Sequence, residues 1–363
     1  MNQITETFFD FVRIPSPTGE ELHFSHYLKG RLKGVGLKNV SQDDRGNILA
    51  SFGSIGEPIL LVAHLDTLPT KKGIEPIVRK GICKTDGSTI LGADNKAIVA
   101  NLFELAKWAS RQQKRLRKTE LLFSVSQEAE LSGIKTVDLS EIESAQAVCI
   151  DASLPPGNII LGGPSYRHVT ITFTGKTADA STRYKGYSAL PSLSQFFQKV
   201  PQGSVHDDVL INFGKLHGGQ ALNRLLSEVT IEAEIRSFDE KLAQKYLKRI
   251  EALAHEAALR WNCKTYIDIQ LEHEDYSLSS DHSVAQHIYA AWKAAEPRIH
   301  MKYHEKFWGR SDANNLNARG IPTINLGYGV KNAHSAKERI SQKDLMRMQQ
   351  MLRELVKDTS IRS

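Results

Sequence analysis

What most limits the fold of this chain is the order of elements in its first half. The apolar runs "PILLVAHLD" from Pro58, "TELLFSVS" from Thr119 and "AQAVCIDAS" from Ala145 are bounded by turn residues, and helical patterns such as "KAIVANLFELAKWA" lie between them. Short apolar runs of that kind fit strands buried on both faces, and parallel neighbours need a crossover between them. The pattern predicts an α/β domain with a largely parallel, doubly wound sheet.

From Ser165 to His273 the style changes. "HVTITFTG", a helical "SALPSLSQFFQKV", then "VLINFGKLHGG" and "SEVTIEAEIRSF", an amphipathic "DEKLAQKYLKRIEALAHEAALRW" and "KTYIDIQLE" follow in turn. Strand, helix, two strands, helix, strand is the order of a self-sufficient α+β unit inserted into the larger one. After Asp275 the first pattern resumes, with a helix from Ser283 to Ala295, "RSDANNLNARG" in helical register, the strand "PTINLGYG" and a closing helix from Ser341 to Lys357. The expected domains are therefore 1–164 with 275–363, discontinuous, and an insert at 165–274. No internal repeat or low-complexity stretch interrupts them.

A chain of 363 residues, 40% hydrophobic and 24% charged, is long enough for both cores. Its three cysteines, Cys83, Cys149 and Cys263, show no C-x-x-C spacing, so they read as buried thiols of a reducing compartment. No stretch approaches the roughly 20 apolar residues of a membrane span, and the N-terminus has no signal-peptide pattern, so the expectation is a cytoplasmic protein with no membrane partner. The net charge of +6 is densest in "RQQKRLRK", Arg111 to Lys118. That run has no interleaved aromatics and connects a helix to a strand, which reads as a solvated connection and not as a nucleic-acid surface.

Ligands of open parallel sheets bind beyond the carboxyl ends of the strands. There the chain places His64 and Asp66 after "LLVA", Asp94 in "ILGADNK", Glu128 after "FSVSQ", Asp151 in "AVCID" and His334 beyond "TINLGYG". Two imidazoles and several carboxylates with no thiolate suit zinc, manganese or cobalt, and the number suits two ions sharing a carboxylate. Asp66 stands two residues from His64 on the same side of an extended segment, where it can accept the second ring proton and fix the tautomer.

These residues carry a resemblance. "IPSPTGEE", "DDRGNILA", "AHLDTL", "TILGADNKAIVANL", "FSVSQEAELSGIK", "IDASLPPGNII", "GKTADASTRYKGYSAL", "GKLHGGQALNRLLSEVTIEAEIRSFD", "GRSDANNLNARGIPTINLGYG" and "NAHSAKERI" run from end to end in the order of the dinuclear zinc exopeptidases, and the chain is similar to their peptidase T branch. The resemblance implies a catalytic domain with an inserted lid that also forms a homodimer. It implies two divalent ions, most often zinc, with His64, Asp94, Glu128, Asp151 and His334 as ligands and Asp94 as the bridge. The substrate it implies is a small peptide or an acylated amino acid, cleaved by a metal-bridging water, with Asp66 as a catalytic residue and Asn223 and Arg236 on the substrate side; Arg310 stands in a substrate-side loop where that family often has a glycine, and its long cation could anchor an acidic group.

Two catalytic positions depart from that family's pattern. The glutamate that serves the family as general base is here Gln127, whose amide cannot shuttle a proton; the nearby Glu130 is the remaining candidate for that work. Asp179 stands where the family commonly has a histidine that polarises the scissile carbonyl. Two readings stay open on these residues: a metal-dependent exopeptidase or amidohydrolase, and a catalytically impaired homologue that binds peptides on a metal-loaded scaffold. A third, in which the acids and histidines are merely caps and turn residues, needs the whole ordered match to be chance.

Overall fold

The computed structural model describes residues 2–112, 115–129 and 131–357. The chain divides into two compact units, Met1–Gly162 with Ser277–Ser363, and Gly163–Tyr276.

In the larger unit an eight-stranded sheet runs in the order Asn39–Gln42, Ile48–Phe52, Arg117–Ser124, Ile55–His64, Ala147–Ala152, Thr323–Gly327, Asn158–Ile160, Lys302–His304. The four central strands, from Arg117–Ser124 to Thr323–Gly327, are parallel. The flanks depart from the parallel expectation, making the sheet mixed. Asn39–Gln42 and Ile48–Phe52 are joined by a tight turn in which Asp43 accepts from the backbone N–H groups of Arg45, Gly46 and Asn47. So short a connection allows only antiparallel pairing.

The central strands are buried on both faces, as the unbroken apolar runs required. The helix Ala93–Ala109 is buried on nearly every side and packs against the helices Gln3–Val12 and Gln342–Leu355. Its burial takes in polar residues as well, Asn95, Lys96, Asn101 and Glu104, and it carries Asp94 at its first turn.

In the smaller unit a five-stranded antiparallel sheet runs Gly203–His206, Val209–Gly218, Glu228–Ser237, Ser165–Thr174, Lys264–His273. Alternate residues turn inward: Val169, Ile171 and Phe173 lie opposite Ala233, Ile231 and Val229. The helices Leu190–Lys199 and Glu240–Arg260 pack on that face, and Val209, Ile211 and Ile235 of the sheet complete the core with them. Ala243, Leu247, Ile250, Ala254 and Ala257, spaced by four and three, line the buried face of the longer helix. Two short elements exceed the expected order, the strand Gly203–His206 and a 3-10 turn at Ala180–Lys185.

No helix among the described residues is long and apolar enough to cross a membrane. The three cysteines are buried free thiols, and burial pushes Cys83 up to about 12. Within the basic run, residues 113 and 114 lie outside the described residues, while Arg117 and Lys118 already belong to a strand.

Candidate metal centre

Strand ends bring the sequence-predicted residues together. His64 closes the strand Ile55–His64, Asp151 lies in Ala147–Ala152, and Asp94 sits where Gly92, with φ of +69°, turns the chain into its helix. The His64 ring is 2% exposed; its Nε2 lies 3.5 Å from Asp94 Oδ1 and 3.4 Å from Asp151 Oδ1. On the other side of Asp94, His334 Nε2 lies 3.3 Å from Asp94 Oδ2 and 2.6 Å from Glu128 Oε1. Two groups result, His64 with Asp94 and Asp151, and Asp94 with Glu128 and His334. In each, donor atoms lie within 4.8 Å of one another, and Asp94 belongs to both.

The electrostatics fit divalent ions. Burial pushes the Asp151 carboxyl up to about 8 against the pull of His64. Burial would raise Asp94 too, but His334 and His64 outweigh it and hold it well below the usual carboxylate range. Asp94 and Glu128 in turn push the His334 imidazole up to about 10. Carboxylates drawn this close hold protons on their neighbours unless another positive charge takes their place, and mixed nitrogen and oxygen donors suit zinc-type ions.

The acidic turn after Ser124 is fixed by carboxylates beneath it. Glu21 accepts from the backbone N–H of Ser126 at 2.9 Å, and Asp66 accepts from those of Gln127 at 2.9 Å and Glu128 at 3.0 Å. Thr18 adds its hydroxyl to Asp66 at 2.9 Å. His64 Nδ1 lies 3.0 Å from the carbonyl oxygen of Asp66 and 3.3 Å from its Oδ1, so the partner that fixes the ring is backbone as well as side chain. Thus presented, Glu128 reaches His334 and Gln127 reaches the other group, its Nε2 donating to Asp151 Oδ2 at 2.9 Å. Glu130 lies outside the described residues.

Gly133 fixes the register of this turn. A Cβ there would stand 1.8 Å from the Val125 carbonyl oxygen. Gly133→Ala is therefore expected to cost roughly 3 kcal/mol, at the upper end of overpacking, and to lower the thermal midpoint by several degrees. An unchanged midpoint would mean that the turn can shift.

The remaining predicted residues are placed as follows. Arg310 is half-buried just before the Ser311 capping box that opens the helix Asp312–Ala318. In the smaller unit Asp179 caps the 3-10 turn, accepting from Ser181 N–H at 3.0 Å and its hydroxyl at 2.7 Å, which lower its carboxyl. Asn223 Nδ2 approaches Asp179 Oδ2 at 3.5 Å. Arg236 pairs with Glu234 at 2.8 Å and lies 5.7 Å from the Tyr166 ring centroid.

Four supporting residues carried no sequence signal for this role. Glu338 is buried and accepts from the backbone N–H groups of Leu91, Gly92 and Asp94 at 2.8, 2.9 and 3.0 Å. The Tyr328 hydroxyl donates to Asp94 at 2.8 Å. Asn325 Oδ1 accepts from the Asp151 backbone N–H at 2.9 Å. Lys96, fully buried, donates to the carbonyl of Phe11 at 3.2 Å and sits 4.2 Å from the Phe24 ring centroid. Their partners are mostly remote in sequence, which is why no local pattern marks them.

Residues 60–358 match the family described as Peptidase family M20/M25/M40. An uncharacterized protein of Bacillus subtilis, YqjE, is 29% identical over 369 residues, 99% of this chain and 98% of that one. Peptidase T of Geobacillus kaustophilus is 22% identical, covering 94% and 92% of the two chains. The crystal structure of a tripeptidase from Staphylococcus aureus superposes with a TM-score of 0.89 at 28% identity, over 98% of this chain and 97% of that one. The chain belongs to peptidase family M20/M25/M40, in its peptidase T-like branch.

Proposed function

We propose that the protein is a metal-dependent hydrolase that cleaves an amide bond in small peptides or acylated amino acids at a centre for two divalent ions. The observation that carries this reading is the position of Asp94, shared between two groups that each offer an imidazole and carboxylates. His64, Asp94 and Asp151 would hold one ion, and Asp94, Glu128 and His334 the other. Zinc suits the set best, with cobalt and manganese as alternatives. When bound, the ions supply polarisation of the scissile carbonyl and acidify a water.

The protein's own groups orient and restrain. With Nδ1 turned to Asp66, the His64 ring offers Nε2 as the ligand atom. Asp66 and Glu21 fix the turn that aims Gln127 and Glu128 in opposite senses. Arg310, Asn223 and Arg236 are the proposed substrate-side groups, with Arg310 suited to an anionic terminus. Asp179, a carboxylate held low by its cap, gives no hydrogen bond to a developing oxyanion.

Gln127 favours a second reading, a metal-loaded peptide binder with little turnover. Its amide is committed as a donor to Asp151 and accepts no proton. Metal analysis, with a di- and tripeptide panel assayed in zinc, cobalt and manganese, separates the two. Two ions per chain and slow, chelator-sensitive amino-acid release are expected. Two ions with peptide binding and no release would select the second reading; absence of stoichiometric metal would overturn both.

A further inference from the structure

A second feature of the larger unit adjoins the metal ligands through Glu338, whose carboxylate accepts from the Asp94 N–H, but uses none of them. The strands Ile77–Arg79, Ile82–Lys84 and Arg339–Ser341 form a small antiparallel sheet with Ile82–Lys84 in the middle. Side chains alternate across such a sheet, so Cys83 and Ile340 share its buried face while Arg79, Lys84 and Arg339 share the other. Lys84 stands directly opposite Arg339. Lys80 in the hairpin turn and Lys337 before the third strand join them around a cleft of about 590 Å³.

Five cations thus line one cleft, and none has an ion-pair partner among the described residues. Of the two acids there, Glu338 points inward to the Leu91, Gly92 and Asp94 amides, and Asp86 accepts from the Ser88 N–H at 2.9 Å. Local preferences oppose the arrangement. Like charges directly opposite on paired strands repel. Lys80 and Gly81 form a two-residue turn with φ of +50° and +74°, where asparagine is the less strained first residue.

We propose that this cleft binds a small phosphoryl anion. A phosphoryl group brings about two negative charges and three acceptor oxygens, which matches paired guanidinium and ammonium donors better than a single carboxylate does. Among the described residues no aromatic side chain lines the cleft, so a nucleic-acid base has no platform to stack on there.

The test is calorimetric titration of the metal-loaded protein with inorganic phosphate replacing chloride at fixed ionic strength, beside Lys84→Gln/Arg339→Gln. The expected result is saturable binding to the natural protein, weakened by about tenfold or more in the double variant, with bound metal unchanged. No saturation in the natural protein overturns the site. Equal affinity in both proteins also overturns it, because phosphate would then lie at the metal centre or elsewhere. The thermal midpoint of the phosphate-free variant gives an independent reading. Relief of cation repulsion leaves it equal or higher, whereas a clear drop together with lost binding would show that these side chains support the fold, and would overturn the assignment.

Discussion

Gln127→Glu is expected to raise amide hydrolysis by about 100- to 10,000-fold, the usual worth of a positioned acid–base group, while bound metal stays at the natural level. The backbone of residue 127 is already fixed by Asp66, and its side chain already reaches the edge of the metal cluster, 2.9 Å from Asp151. The substitution keeps that shape and turns a donor into a group that can take a proton and give it up. A carboxyl that stays beside the Asp151 carboxylate is raised by that like charge towards the working range of a general base. Rates with saturating zinc, cobalt and manganese, measured side by side for the two proteins, check this. Natural-protein rates within about tenfold of the variant would remove Gln127 as the missing base and turn attention to Glu130.

The parts legible in the sequence are those that local pattern records. Apolar runs gave the central parallel strands, and their charged ends gave His64, Asp94, Glu128, Asp151 and His334, which the structure brings into two groups sharing Asp94. Period-two alternation exposed the antiparallel character of the smaller unit, whose Val169, Ile171 and Phe173 face Ala233, Ile231 and Val229. What stayed hidden depends on contacts across the chain. Glu338 holds the Asp94 turn from 244 residues away, and nothing in "SAKERI" distinguishes its glutamate from a solvated one. The mixed flanks of the large sheet were hidden for another reason, since the short strands Asn39–Gln42 and Ile48–Phe52 have little apolar run to count. Asp179 shows the limit of reading one position against a family. Where a histidine was the expected type, the carboxylate has a local task, capping the turn at Ser181.

Asp94→Asn is expected to remove both ions, whereas Asp151→Asn and Glu128→Gln each weaken one. Asp94 offers Oδ1 towards His64 and Oδ2 towards His334, so among the described residues it is the side chain shared by both groups. An amide leaves a single neutral oxygen for two cations, and its nitrogen would face the imidazole that a metal ion needs free. Metal that binds only the folded chain contributes about 4 kcal/mol per site at a thousandfold excess over its Kd. The natural protein should therefore melt well above its chelated form, and Asp94→Asn should melt at nearly the same temperature with or without added zinc. Both imidazoles must lose their protons to bind, and acidic neighbours hold both of them protonated in the metal-free chain, so metal-dependent stabilisation shrinks as pH falls. Zinc content and melting measured on the three variants distinguish a shared bridge from two independent sites. If Asp94→Asn kept one tightly held ion, the two groups would not depend on a common carboxylate, and the dinuclear reading of the centre would fail.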